Sequence, residues 1–121
     1  MSNTKKGKQG EDIAAEYLQK NGYKILERNF HFSKYGEIDI IAIKNFKIIA
    51  IEVKARTSLI CGEPLEAVTK EKINKIRKTF NYYLGQTKTF YLSHQIDIIS
   101  IVFNKDNPSL NTINHLKNIE V

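Results

Sequence analysis

Residues 36–56 read GEIDIIAIKNFKIIAIEVKAR, and no other stretch limits the possible folds as much. Two runs rich in β-branched residues, 38–43 and 48–53, flank Lys44-Asn45-Phe46-Lys47, which predicts an antiparallel hairpin. Side chains alternate faces along a strand. In the second strand Ile49, Ile51 and Val53 therefore share one face, and Ile48, Ala50, Glu52, Lys54 and Arg56 the other. In the first, Ile38, Ile40 and Ala42 oppose Glu37, Asp39, Ile41 and Ile43. A two-residue loop at Asn45-Phe46 pairs Ile43 with Ile48, Ile41 with Ala50, Asp39 with Glu52 and Glu37 with Lys54, all on one face. Phe46 is a poor residue for such a turn, because tight hairpin turns ask for positive φ. A four-residue loop places Glu37 opposite Glu52 instead. In either register, charged residues converge where a core would be expected.

Opposed residues hold their Cβ atoms about 4.5 to 5.5 Å apart, and two carboxylates that close repel by roughly 3 to 4 kcal/mol at an effective dielectric near 20. A raised pKa on one of them offsets that cost, or a divalent cation does. Hard cations such as Mg²⁺ take oxygen from one or two carboxylates and keep waters for substrate phosphates. Lys54, two positions past Glu52 on the same face, would adjoin such an ion and any bound phosphate. In outline this is a site for phosphodiester hydrolysis.

The residues also carry a resemblance. Gly10-Glu11 with Ala14 and Leu18, Gly36-Glu37-Ile38-Asp39, Glu52-Val53-Lys54 with Arg56, Ala67-Val68 with Lys72, and Ile96-Asp97-Ile98 together resemble the YraN-type family of bacterial proteins. That family's domain is similar to the archaeal Holliday junction resolvases of the PD-(D/E)xK nuclease superfamily. The similarity covers most of the chain, with Ile38 standing where the superfamily name has Pro. It implies Asp39 as the acid of one strand and Glu52-Val53-Lys54 as the acid-x-Lys triplet of the next. Through Gly10-Glu11 it also implies that Glu11 reaches the hairpin as a further acid, although a first-turn glutamate equally suits the helix dipole.

At 121 residues the chain is expected to form a single domain, 1–121, with residues 1–8 as a flexible basic N-terminus. A hydrophobic content of 41% with 26% charged residues fits a globular protein rather than a disordered one. The sequence shows neither an apolar run of membrane-spanning length nor a signal-peptide centre, which points to the cytoplasm and to no membrane partner. The net charge of +6 favours a polyanion. Lys5, Lys6 and Lys8 precede the first acid, and Lys70, Lys72, Lys75, Arg77 and Lys78 crowd one helix against Glu71 alone.

A helix is predicted over 9–21, with Ile13, Ala14, Tyr17 and Leu18 on its apolar stripe and Gly22 as its stop. A strand over 23–30, a loop over 31–35, the hairpin and a loop over 57–66 follow. A second helix is expected from the N-cap Thr69 to Leu84, burying Ile73, Ile76, Phe80, Tyr83 and Leu84 and ending at Gly85. Lys72 then lies in a first turn that favours anions. Residues 96–103 read as an interior strand apart from Asp97 and Ser100, and 113–119 as an edge strand. Asp97 is either a structural acceptor for loop amides or an outer member of the site. Cys61 reads as a small loop residue, and His31, His94 and His115 as ordinary loop residues.

The expected architecture is an α/β domain in the order α-β-β-β-α-β-β, with a mixed central sheet and a helix on each face. With the resemblance, this becomes a restriction-endonuclease-like core. The implied function is a Mg²⁺- or Mn²⁺-dependent endonuclease, a hydrolase acting on DNA in preference to RNA, with branched or structured DNA as a candidate substrate. Asp39, Glu52 and the Val53 carbonyl would hold the metal, and Lys54 would act on water or phosphate. Glu37 and Glu11 would bind a second metal or hold Lys54, and Arg56, Lys72 and Lys75 would contact nucleic-acid phosphates. Cutting two strands suggests a homodimer. The competing readings are a non-catalytic nucleic-acid-binding module on the same fold and a protein-interaction adaptor.

Overall fold

The computed structural model describes residues 3–34, 36–57 and 68–119. Cys61, Ala67 and most of the expected loop 57–66, with its Gly62 and Pro64, lie outside the described residues. The elements are α1 (Asn3–Lys20), β1 (Lys24–Phe32), β2 (Gly36–Lys44), β3 (Lys47–Arg56), α2 (Lys70–Thr87), β4 (Ser93–Phe103) and β5 (Asn111–Leu116). They form one five-stranded sheet in the order β1-β2-β3-β4-β5. Only the β3–β4 pair is parallel, and α2 makes the crossover between them.

One helix covers each face. Ile41, Ile48, Ala50, Ile96 and Ile98 pack with Ile73, Ile76, Phe80 and Leu84 of α2. Ile40, Ala42, Ile49, Ile51, Ile99 and Ile101 pack with Ala14, Ala15 and Leu18 of α1. Among the described residues no helix is long and apolar enough to cross a membrane.

α1 starts at Asn3 rather than at residue 9, because Lys and Gln are good helix formers that extend a turn already anchored by Ala14 and Leu18. It stops where expected: Gly22 sits at φ 86 and Tyr23 N–H reaches back to the Leu18 carbonyl at 2.9 Å. At its other end α1 crosses β3 closely. A Cβ on Gly10 would stand 2.6 Å from the Ala55 Cβ, so glycine sets how near Glu11 comes to the sheet.

α2 begins as expected, with the Thr69 hydroxyl accepting from Lys72 N–H at 3.1 Å, but Gly85 does not end it. The helix continues to Thr87, and Lys88 takes the left-handed cap at φ 58, with Thr89 N–H bonded to the Leu84 carbonyl at 2.9 Å. The histidines also differ from expectation. His31, His94 and His115 all lie in strands, and His115 is buried.

Candidate metal and phosphate site

The hairpin register is the two-residue one, with Lys44 opposite Lys47, Ile43 opposite Ile48 and Ile41 opposite Ala50. Asn45 and Phe46 take positive φ of 52 and 62, and Phe46 tolerates this at an exposed tip because slipping the register would turn Ile41, Ile48 and Ala50 out of the core. The expected pairs Asp39–Glu52 and Glu37–Lys54 do not form, because the β2–β3 ladder ends at Ile40 opposite Ile51.

The cause is a reversal of faces in β2. Ile38 packs in the α2-side cluster and Ile40 in the α1-side cluster, although strict alternation would put them together. On β1, the residue between the pairs Arg28–Ile40 and Phe30–Ile38 is Asn29, at φ 54. Asn is one of the few residues that enters this region readily. Asp39 stands at the irregularity, and its Oδ2 accepts the Val53 N–H at 2.7 Å. The carboxylate thus takes the place of a strand partner. Since the N–H and C=O of one residue leave a strand on the same edge, the Val53 carbonyl also faces the gap beside Asp39.

Glu52 is buried beside this gap on the α2 face. Its Oε1 holds Lys72 Nζ at 2.9 Å and Lys54 Nζ at 3.6 Å. Burial and then the Glu52 charge push the Asp39 carboxyl up to about 7. Burial, followed by the adjacent Lys72 ammonium, lowers the Lys54 pKa. Burial works against the Lys72 charge, but the hydrogen bonds to Glu52 and Lys54 and the charges of Glu52 and Asp39 together outweigh it, and its pKa is raised. One acid is therefore poised to hold a proton, and the other is covered by two ammoniums.

Glu11 comes close enough to Asp39 for its charge to raise that carboxyl further. Its Oε1 is engaged by Arg28 Nε at 2.9 Å and Asn29 Nδ2 at 3.0 Å, so it braces the irregular part of β1. Arg28 also binds Asp12 at 2.6 Å. The sequence reading missed Arg28 and Asn29; an asparagine inside a strand, where it is disfavoured, was the available signal.

Two expected members lie elsewhere. Glu37 is exposed on the β1 side and pairs with His31 at 2.9 Å, leaving Lys54 to Glu52. Asp97 is fully buried on the α1 face, where it serves as a structural acceptor for the Asn118 amide, Gln95 and His115.

Beyond Lys54, the buried side-chain nitrogens Nε and Nη2 of Arg56 and the Ser100 hydroxyl have no hydrogen-bond partner among the described residues, and Ser100 is the register neighbour of Lys54. Lys75 is exposed and, with Lys70, Glu71, Asn74 and Lys78, lines an open groove of about 550 Å³.

The donor set tests the fit of a metal. Among the described residues Asp39 Oδ1 and Glu52 Oε2 carry no hydrogen bond, and with the Val53 carbonyl they offer oxygen alone, which suits Mg²⁺ or Mn²⁺. Among the described residues no three His, Cys, Asp or Glu side chains converge on one metal position. Mg²⁺ does not require three, since it commonly takes one or two carboxylates and fills its remaining positions with water and phosphate.

The sequence model of an uncharacterised protein family, UPF0102, matches residues 10–101. A UPF0102 protein of Syntrophomonas wolfei is 43% identical over 111 residues, covering 92% of this chain and 96% of that protein. One from Persephonella marina is 46% identical over 113 residues, covering 93% and 90%. One from Clostridium perfringens is 47% identical over 97 residues, covering 80% and 79%. The matched span runs from the close-approach Gly10 through the hairpin to β4, and this chain belongs to the UPF0102 family, the YraN-type proteins.

Proposed function

We propose that this chain is a metal-dependent endonuclease of the PD-(D/E)xK type that hydrolyses phosphodiester bonds in DNA, with branched or structured DNA as the preferred substrate. The observation that carries the reading is the Asp39 carboxylate bonded to Val53 N–H at the open end of the ladder, with buried Glu52 and Lys54 beside it. Asp39, Glu52 and the Val53 carbonyl would hold Mg²⁺ or Mn²⁺. Such an ion polarises a phosphoryl oxygen and acidifies a water. Asp39 would have to give up its proton to hold such an ion. Lys54, whose lowered pKa makes it a readier proton acceptor, orients the attacking water or meets charge building on the phosphate. Arg56, at the end of β3, and the exposed Lys75 would meet neighbouring phosphates. Two cuts across a junction would call for a homodimer, and a DNA substrate for the cytoplasm.

The test is cleavage of linear, flapped and four-way DNA with Mg²⁺, Mn²⁺ or chelator, together with Lys54→Ala. Divalent-dependent cutting is expected, reduced about a hundredfold or more in the variant. Melting temperature and DNA affinity in Ca²⁺ should be nearly unchanged. Salt-sensitive DNA binding without cutting would replace this reading with a binding module. A variant that melts far earlier but cuts at the parent rate while folded would remove Lys54 from the chemistry.

A further inference from the structure

Lys72 and Lys54 lean on the same oxygen of Glu52, at 2.9 and 3.6 Å. They are not equivalent. Lys54 is rooted in β3 and its side chain is 28% exposed, whereas the Lys72 side chain is 40% exposed and caps a carboxylate that is only 9% exposed. The root of Lys72 is fixed by the Thr69 cap, so only its flexible stem is free to move. The same first turn opens onto the groove lined by Lys70, Asn74 and Lys75.

We infer that Lys72 is an exchangeable counter-ion: it covers Glu52 until a divalent cation binds there, and then turns outward to a nucleic-acid phosphate. This rests on the proposed metal site. A dication held by Asp39 Oδ1 and Glu52 Oε2 would share one carboxylate with the two ammoniums on Oε1, and like charges at such distances repel strongly. Lys72, the more exposed of the two, is the one that leaves. Once released it is a cation without a partner, one helical turn from the groove-lining Lys75, and it draws in a phosphate. Ion and nucleic acid thereby strengthen each other's binding, and by linkage they do so by equal factors.

The experiment is calorimetric titration of Ca²⁺ into the whole chain, alone and saturated with a short DNA duplex, for the parent, Lys72→Ala and Lys72→Gln. Melting temperatures establish that each variant is folded. Without duplex, both variants should bind the ion about tenfold more tightly than the parent, because the competing ammonium is gone. The enhancement by duplex should shrink by the same factor. Variants that bind the ion no more tightly than the parent, or that keep the parent's full enhancement, overturn the exchange while leaving the metal site standing. A parent that takes up no ion with or without duplex overturns the metal site and the exchange together.

Discussion

Two strand carboxylates, the fully buried Asp97 and the half-buried Asp39, are treated in opposite ways. Asp97 receives Gln95 Nε2 at 2.8 Å and Asn118 N–H at 2.9 Å on one oxygen and His115 Nε2 at 2.8 Å on the other. The Tyr17 hydroxyl in turn meets His115 Nδ1 at 2.9 Å, which ties β5 to α1. Asp39 receives one backbone N–H at 2.7 Å, faces the charges of Glu52, Glu11 and Glu37, and is pushed up to about 7. Burial by itself therefore does not mark a working acid. Under the proposed function, the number of donors set against the number of neighbouring charges separates the carboxylate that holds the fold together from the one that would take a ligand.

The largest expected effect tests the structural half of this contrast. Asp97→Ala leaves the His115 ring, the Asn118 amide and the Gln95 side chain without their acceptor inside the protein. The expected loss is about 3 to 5 kcal/mol, a large share of the stability of a domain this size. Urea denaturation followed by circular dichroism measures it. A loss below about 1 kcal/mol would mean that water replaces the carboxylate easily, and the two aspartates would no longer differ in kind.

Asp39→Asn should act in the opposite direction. The folded protein holds the Asp39 proton up to about 7 while the unfolded chain releases it near 3.8. Between those values the native state binds more protons than the unfolded state, so this group's contribution to stability falls as pH rises and levels off above about 7. The stability difference between variant and parent should therefore grow by about 3 to 4 kcal/mol in favour of Asn from pH 4 to pH 8, provided that Asn still accepts from Val53 N–H. Denaturation across that pH range in chelator provides the check. A flat difference would show that Asp39 keeps its charge throughout that range.

How far these features were legible in the sequence depends on the distance over which each is specified. Alternation along β2 and β3 placed Ile41, Ile43, Ile48 and Ala50 correctly, since the period of a strand is a local property. It failed at Asp39 because the reversal belongs to β1 as much as to β2: Asn29, at positive φ, lies between the pairs that flank it. Thr69 located the start of α2 and hence the root of Lys72. The ion pair with Glu52 depends instead on how α2 lies over the sheet. His115 looked isolated because its partner Asp97 is reached only through the β4–β5 register, in which Ile99 faces His115. The end of α2 was misread at Gly85 because Leu84 and Tyr83 are buried against the sheet, and that packing favours another turn of helix over an early stop.

A third carboxylate, Glu37, sharpens the contrast at its small end. It belongs to the same strand as Asp39 and was expected to join it, but its side chain is 59% exposed and paired with an equally exposed His31. Its charge contributes the least of the causes that raise Asp39. Exposed pairs of this kind contribute about 0 to 1 kcal/mol, and salt screens them. Glu37→Gln should accordingly change stability by less than about 0.5 kcal/mol, and ion affinity and cleavage by less than about twofold, or 0.4 kcal/mol. Titration of Ca²⁺ and a cleavage time course on this one variant are sufficient. A tenfold loss in either would mean that Glu37 leaves His31 and swings toward Asp39 when ligand arrives. Donor count in the free protein would then no longer distinguish working acids from structural ones.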